Sequence, residues 1–248
     1  FNDNSVCLFE TVSNEPLWSY DTGKIVISVA ISADGKYITA GTMYGGIYLF
    51  EKDSSTPLWD YEVESADNVL SVAISADGEY ITAGSDKVYL FDKDNSTPLW
   101  SQSTGKMVQT VAISADGQYI PAGDGSNIHL FVRGIDDGAL WDYDTGNLVY
   151  SVAISADGKY IAAGTSDNAV WLFDNDGTPG SSDTMDKQPL WIYDGEYDVL
   201  SVDISANGEY IAAGSNGGGK IYLFDKDLDE PLWNYPTGHD VQSVAISA

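Results

Sequence analysis

The chain has 248 residues, 43% of them hydrophobic, and a formal net charge of −27 from 38 acidic and 11 basic residues. With so few Lys and Arg side chains to neutralise phosphates, we expect no nucleic-acid partner. No apolar stretch reaches the roughly 20 residues needed to cross a bilayer, so we expect no membrane insertion. Cys7 is the one cysteine, and we interpret it as a small buried hydrophobe rather than a reactive thiol.

One phrase recurs along the whole chain. It contains S-V-A-I-S-A-D-G-x-Y-I-x-A-G, a variable gap, I-Y-L-F-D-K-D and L-W-x-Y-x-T-G. Its tryptophans are separated by 41, 41, 41, 50 and 42 residues, at Trp18, Trp59, Trp100, Trp141, Trp191 and Trp233. A period of this size indicates supersecondary units that bury their apolar faces against neighbouring units.

The elements can be assigned in chain order. Residues 5–9 and 16–20 are predicted to be the third and fourth strands of a first repeat, and five complete copies follow. These copies begin near Ser28, Ser71, Thr110, Ser151 and Ser201.

The fourth complete copy illustrates the four strands of one repeat. The β-branched segment 151–155 predicts a first strand, and Asp157-Gly158 predicts a tight hairpin turn. Segments 160–164, 170–173 and 189–193 predict the other three strands. Four antiparallel strands per period predict an all-β protein, a β-propeller of four-stranded blades. Solenoids repeat at shorter periods, and sandwiches do not repeat their sequence.

The two ends of the chain predict an incomplete blade. Residues 243–248 repeat only the first strand, so a sixth blade can form as a composite of both termini. That composite blade lacks the second strand, D-G-x-Y-I-x-A-G. We expect residues 1–248 to form a single β-propeller domain that is a fragment of a longer chain; a six-bladed ring with an incomplete blade is the alternative.

Two runs carry resemblances to known families. Residues 89–100 resemble the repeat of quinoprotein-like (PQQ-like) propellers, in which an acidic turn precedes a docking tryptophan. Residues 152–164 resemble WD40 and YVTN repeats, and such hybrids look like the propellers of prokaryotic surface proteins. The chain lacks the Gly-His and terminal Trp-Asp pairs of WD40 blades, so the resemblance is specific for fold and weak for function.

A site in a repeat protein is expected where the repeat is broken. Asp203 stands where the other first strands have alanine, and it is a candidate axial or metal-binding carboxylate; the alternative is a structural Asp that is hydrogen-bonded or solvated in a channel. His129 and His239 lie in different repeats and no nucleophile motif accompanies them, so we interpret both as structural or exposed.

The acidic turns allow a calcium site, because Ca²⁺ prefers oxygen ligands. The best candidates lie in the insertion that lengthens the fourth period: Asp174, Asp176, Asp183 and Asp186. Asp, Asn and Ser also favour turns for conformational reasons alone, and we expect no other cofactor. Asn95-Ser96-Thr97 is an N-x-[ST] sequon, which makes Asn95 a candidate for glycosylation.

The sequence favours a non-enzymatic, rigid binding or display platform, exported or at the cell surface. A protein or cationic ligand is expected to contact the variable segments, which are 43–45, 62–68, 124–127, 174–188 and 216–220. Two alternatives stay open. The chain could be an enzyme of quinoprotein or lactonase type with an axial site, or a cytoplasmic scaffold for protein assembly.

Overall fold

The computed structural model describes residues 4–136, 138–175 and 187–247. The secondary structure of these residues consists of 22 strands and one 3-10 turn at Met43–Gly45. The chain divides into two compact units, residues 1–108 and 109–248. The single domain over residues 1–248 stays a prediction.

The first unit holds three antiparallel sheets, each made of strands that are consecutive in sequence. Sheet 1 contains β1 (Ser5–Phe9) and β2 (Pro16–Asp21). Sheet 2 contains β3 (Val26–Ile31), β4 (Tyr37–Thr42), β5 (Gly46–Glu51) and β6 (Trp59–Glu62). Sheet 3 contains β7 (Ser71–Ile74), β8 (Tyr80–Gly84), β9 (Val88–Asp92) and β10 (Trp100–Gln102).

The second unit holds three more four-stranded sheets with the same strand order. Sheet 4 contains β11 (Thr110–Val111), β12 (Tyr119–Gly123), β13 (Asn127–Val132) and β14 (Trp141–Asp144). Sheet 5 contains β15 (Val149–Ile154), β16 (Tyr160–Thr165), β17 (Ala169–Asp174) and β18 (Trp191–Asp194). Sheet 6 contains β19 (Val199–Ile204), β20 (Tyr210–Ser215), β21 (Lys220–Asp225) and β22 (Trp233–Pro236).

The S-A-D-G-x-Y motif, which reads S-A-N-G-x-Y in sheet 6, forms the turn between the first and second strands of each complete sheet. In sheet 3, Ser75 Oγ donates to Asp77 Oδ1 at 2.6 Å and accepts the Tyr80 N–H at 3.0 Å. Gly78 has a φ of +75°, which side-chain-bearing residues rarely adopt. Equivalent serines bind an Asp or Asn in every such turn, at Ser32, Ser75, Ser114, Ser155 and Ser205. These repeated polar residues therefore shape the hairpin.

The repeated tryptophan joins neighbouring sheets within each unit. Trp59 of sheet 2 lies against the buried Phe91 of sheet 3, with ring centroids 5.2 Å apart, and its Nε1 donates to the Lys93 carbonyl at 2.8 Å. Three further pairs repeat the ring contact: Trp18 on Phe50, Trp141 on Phe173, and Trp191 on Phe224. Aromatic rings of this size contribute a large apolar area to such contacts. The docking role predicted for the tryptophan is confirmed at these four positions.

The first strands of neighbouring sheets are linked by a hydrogen bond from a backbone N–H to a side-chain hydroxyl, and not by backbone pairing of strands. In the first unit the Val72 N–H donates to Ser28 Oγ at 3.1 Å. In the second unit the donors are Val152, Val202 and Val244, and the acceptors are Thr110, Ser151 and Ser201. The serine that opens S-V-A-I therefore satisfies a backbone donor at a sheet edge.

The predicted blades are confirmed as five four-stranded sheets and one two-stranded sheet. Residues 243–247 are not assigned as a strand, and the composite sixth blade stays a prediction. The interpretation of Cys7 is wrong, because its side chain is exposed. No helix within residues 4–136, 138–175 and 187–247 is long and apolar enough to cross a bilayer.

Candidate functional site

Two of the predicted variable segments come together in the first unit. The 3-10 turn at 43–45 joins β4 to β5, and residues 62–68 connect sheet 2 to sheet 3. The Val63 N–H donates to the Gly45 carbonyl at 2.9 Å, and the Val69 N–H donates to the Thr42 carbonyl at 3.0 Å. With the β8–β9 turn at 86–87, these segments form what we call the loop surface.

Tyr44 is the exposed aromatic residue of the loop surface, and its backbone is fixed on both sides. Its φ of 61° lies in the left-handed region, which costs a non-glycine residue on the order of 1 kcal/mol. Its N–H donates to Asn68 Oδ1 at 3.1 Å, and its carbonyl accepts from Lys24 Nζ at 2.9 Å. Lys24 also forms a short ion pair with Glu62. The loop therefore presents Tyr44 in one fixed backbone conformation.

A polar pocket of about 330 Å³ opens beside this loop. Its lining combines carboxylates, hydroxyls and one amine: Tyr61, Glu64, Ser65, Asp86, Lys87, Tyr89 and Ser101. Glu64 is exposed and Asp86 is half-buried, and Tyr89 Oη donates to Asp86 Oδ1 at 2.8 Å. Burial, reinforced by the Asp86 hydrogen bond, raises the pKa of Tyr89, so its phenol is a neutral donor.

The pocket suits a cationic group. Burial likewise raises the pKa of Tyr61, and the nearby Glu64 and Asp86 charges add to that effect. Two neutral phenols and two carboxylates around one cavity offer oxygen atoms and aromatic faces to an ammonium or guanidinium ion. Lys87 leaves a net negative charge among the lining residues.

Asp203 is hydrogen-bonded to two backbone N–H groups. It lies in β19, opposite Ala212 of β20. Its Oδ2 accepts the Ile246 N–H at 2.9 Å and its Oδ1 accepts the Ile204 N–H at 2.9 Å. Asp203 thus extends by two residues the link that Ser201 makes to Val244. These bonds agree with the hydrogen-bonded alternative, and an axial or metal-binding role of Asp203 stays a prediction.

Three of the four calcium candidates, Asp176, Asp183 and Asp186, lie outside the described residues. Asp174 forms an ion pair with Lys187, Oδ1 to Nζ at 2.9 Å. Over residues 4–136, 138–175 and 187–247, no group of three or more His, Cys, Asp or Glu side chains is placed to hold a metal. Asn95 lies exposed in the turn after β9, and its Oδ1 accepts the Thr97 N–H at 2.8 Å. Its glycosylation stays a prediction.

A buried acid–histidine pair in sheet 4 was missed by the sequence analysis. Asp124 is 1% exposed, and its Oδ2 lies 3.0 Å from Nε2 of His129. Its Oδ1 accepts the backbone N–H groups of Ser126 and Asn127, each at 2.9 Å. Burial alone raises the pKa of Asp124, but these hydrogen bonds outweigh it and lower the pKa to about 2.

The pair has a structural explanation. Asp124 stands where the other four complete repeats have Thr or Ser, and His129 where those four have an aromatic ring. These two departures from the repeat sequence, both in one repeat, were the signal that could have indicated the pair. The prediction that segment 124–127 offers contact residues is wrong for Asp124, because its side chain is buried and both carboxylate oxygens are hydrogen-bonded within the unit.

Of the other variable segments, 216–220 is a glycine turn held by acids of the second unit. Asn216 Nδ2 donates to Asp198 Oδ2 at 3.1 Å, and the Gly217 N–H donates to Asp240 Oδ1 at 2.9 Å. Most of segment 174–188 lies outside the described residues. The loop surface of the first unit is therefore the candidate site that the described structure supports best.

Comparison with known families agrees with this fold. Residues 2–144 match the family of PQQ-like repeats described as outer membrane protein assembly factor BamB. Residues 141–174 and 187–225 match the WD domain, G-beta repeat. No curated protein matches the chain. The two matches confirm the predicted resemblance and the β-propeller fold class.

Proposed function

Because the chain belongs to the PQQ-like repeat family described as outer membrane protein assembly factor BamB, we propose that it is a non-enzymatic, exported or cell-surface platform for binding another protein. The observation that carries this proposal is the loop surface. Two variable segments are fixed there by backbone hydrogen bonds around an exposed tyrosine. The family description names an assembly factor, which supports a protein partner.

The physical mechanism is binding to a surface that is already ordered. Tyr44 and the Glu62–Asn68 loop are held before the partner arrives, so little conformational entropy is lost on docking. Tyrosine is a frequent energetic centre of protein interfaces. The pocket carboxylates beside it favour a partner segment with Lys or Arg, which also agrees with the net charge of −27.

A peptide-display selection against the immobilised chain tests this function. We expect the selected peptides to be enriched in Lys or Arg with an aromatic neighbour, and their binding to weaken as salt rises. The double variant Glu64→Gln/Asp86→Asn should lose most of this binding. A matched control, Glu15→Gln/Asp94→Asn, removes the same charge at exposed positions outside the loop surface and should retain it.

Two outcomes would contradict the proposal. One is selection of peptides without basic residues. The other is equal loss of binding in both double variants, which would show that only the overall charge of the chain matters.

A further inference from the structure

The polar pocket beside the loop surface has an equivalent in the second unit. Tyr61 of β6 and Tyr89 of β9 line the pocket, with ring centroids 5.8 Å apart. Tyr193 of β18 and Tyr222 of β21 form the equivalent pair, with ring centroids 5.6 Å apart. We call each of these two places a tyrosine niche. Each niche joins the fourth strand of one sheet to the third strand of the next.

A glutamate and a lysine accompany both tyrosine niches. Five residues after the repeated tryptophan the chain has Glu64 in the first unit and Glu196 in the second, whereas the other four repeats have Gly at this position. Two residues before the niche tyrosine of the third strand it has Lys87 and Lys220, whereas the other repeats have Ser, Gly, Asn or Ala there. The two charges thus occur together at the tyrosine niches and not in the other repeats.

In the second unit the lysine lies against the glutamate. Lys220 Nζ is 3.0 Å from Glu196 Oε2. Burial raises the pKa of Tyr193 and of Tyr222, and the Lys220 charge acts on both phenols in the opposite direction. This niche therefore accommodates a primary ammonium ion beside one carboxylate and two phenols.

In the first unit the equivalent carboxylate is unpaired. Among the residues that the structure describes, the Glu64 carboxylate accepts no hydrogen bond and forms no ion pair, although Lys87 lines the same pocket. Asp86 adds a second carboxylate to the lining, and one of its oxygens accepts the Tyr89 hydroxyl at 2.8 Å. The first niche thus combines negative charge with an open volume of about 330 Å³.

We propose that this pocket binds a lysine side chain of the partner protein, whose ammonium lies against Glu64 as Lys220 lies against Glu196. The second unit supplies the argument, because the chain's own lysine occupies the equivalent niche there. The carboxylates of the pocket favour a cation electrostatically, and the phenol rings can pack along the alkyl part of the side chain. This inference rests on the proposed function, since it names the group of the partner that the loop surface recognises.

The lining favours lysine over arginine. An ammonium carries three diverging donors, whereas a guanidinium presents a planar fork that matches both oxygens of one carboxylate. Asp86 cannot offer both oxygens to a fork, because Tyr89 donates to one of them. The other acceptors of the lining belong to separate residues, which suits diverging donors: Glu64, Ser65 and Ser101.

Two matched peptide-display libraries test the proposal on the full 248-residue protein. Both contain random peptides of equal length with one fixed basic residue and no other, which is Lys in one library and Arg in the other. We expect the lysine library to be enriched about fivefold over the arginine library. Equal or greater enrichment of the arginine library would overturn the assignment to lysine and leave the proposed function standing. Enrichment of neither library would contradict both.

Variants of the chain locate the bound ammonium, with the strongest lysine peptide followed by fluorescence anisotropy. Glu64→Gln should weaken binding about fivefold. The matched control Glu196→Gln should leave it unchanged, because that carboxylate already holds Lys220. Lys87→Gln should strengthen binding about twofold, since it removes a like charge from the lining. Equal losses in the two glutamate variants, or weaker binding in Lys87→Gln, would overturn the proposal.

Discussion

The consensus hairpins and the loop surface use the same residue types in opposite ways. In the turn at Ser75–Tyr80 the hydroxyl and the carboxylate bind each other and the backbone. In the loop surface, backbone contacts fix the chain, while the side chains of Tyr44 and Glu64 remain exposed. In these two regions, the polar residues of the repeated turn are thus used internally, whereas Tyr44 and Glu64 of the loop surface are available to a partner.

The largest expected effect is a difference in stability between variants of a docked tryptophan and of an exposed one. Trp191 packs on Phe224 and donates to the Lys226 carbonyl at 2.8 Å, whereas Trp233 is 49% exposed. We expect Trp191→Ala to lower the free energy of unfolding by about 4 kcal/mol and Trp233→Ala by about 1 kcal/mol. Urea denaturation followed by circular dichroism measures both. Equal losses would contradict a docking role for the repeated indole.

The next prediction distinguishes the contributions of backbone strain and of packing to the stability of the consensus turn. Gly78 and Gly35 have similar φ angles, +75° and +69°, but only Gly78 lies under a tyrosine ring. Gly35→Ala should cost about 1 kcal/mol of unfolding free energy from strain alone, and Gly78→Ala about 3 kcal/mol because Tyr37 must also move. Chemical denaturation of the two variants gives the difference directly. If they are equally stable, the contact between hairpins contributes nothing.

A smaller effect concerns the buried pair of sheet 4. The pKa of Asp124 lies at about 2 in the folded chain, against 3.8 for an ordinary Asp. A lowered folded pKa stabilises the folded state by about 2 kcal/mol at pH 7. This contribution is complete above about pH 4 and is lost as pH falls through about 2.

Asp124→Asn should therefore lower the free energy of unfolding at pH 7 by about 2 kcal/mol, and by progressively less as the pH is reduced towards 2. Denaturation series at several pH values measure the difference. Asp60→Asn, at an exposed carboxylate, is the control and should change stability by less than about 0.5 kcal/mol. A loss that is constant with pH would assign the effect of Asp124→Asn to shape rather than to charge.

Much of the fold could be predicted from the sequence because each repeat contains the local signals that determine its turns and strands. The Asp-Gly turns and the buried apolar strands are local signals, and the period of the tryptophans indicates which sheets contact each other. The exposure of Cys7 could not be predicted from such local signals. It depends on strands that are absent beside β1 in the described structure, whereas the equivalent Tyr48 is buried.

The site was only partly predictable. Differences between repeats identified segments 43–45 and 62–68. No sequence signal indicates that the Gly45 carbonyl accepts the Val63 N–H or that Lys24 links Tyr44 to Glu62. Those contacts join residues from separate strand connections. Asp203 illustrates a different difficulty. Its departure from the consensus suggested an axial or metal-binding site, and in the structure its carboxylate accepts a backbone hydrogen bond from Ile246.

Hydrogen exchange of the chain with a selected basic peptide bound tests most directly the claim that the single-repeat loops, and not the repeated turns, form the binding surface. We predict that new amide protection is concentrated in residues 43–45 and 62–68, while the consensus turns at 32–37, 75–80 and 114–119 exchange as in the free chain. Protection that falls on those consensus turns instead, with the loop surface unchanged, would contradict the account.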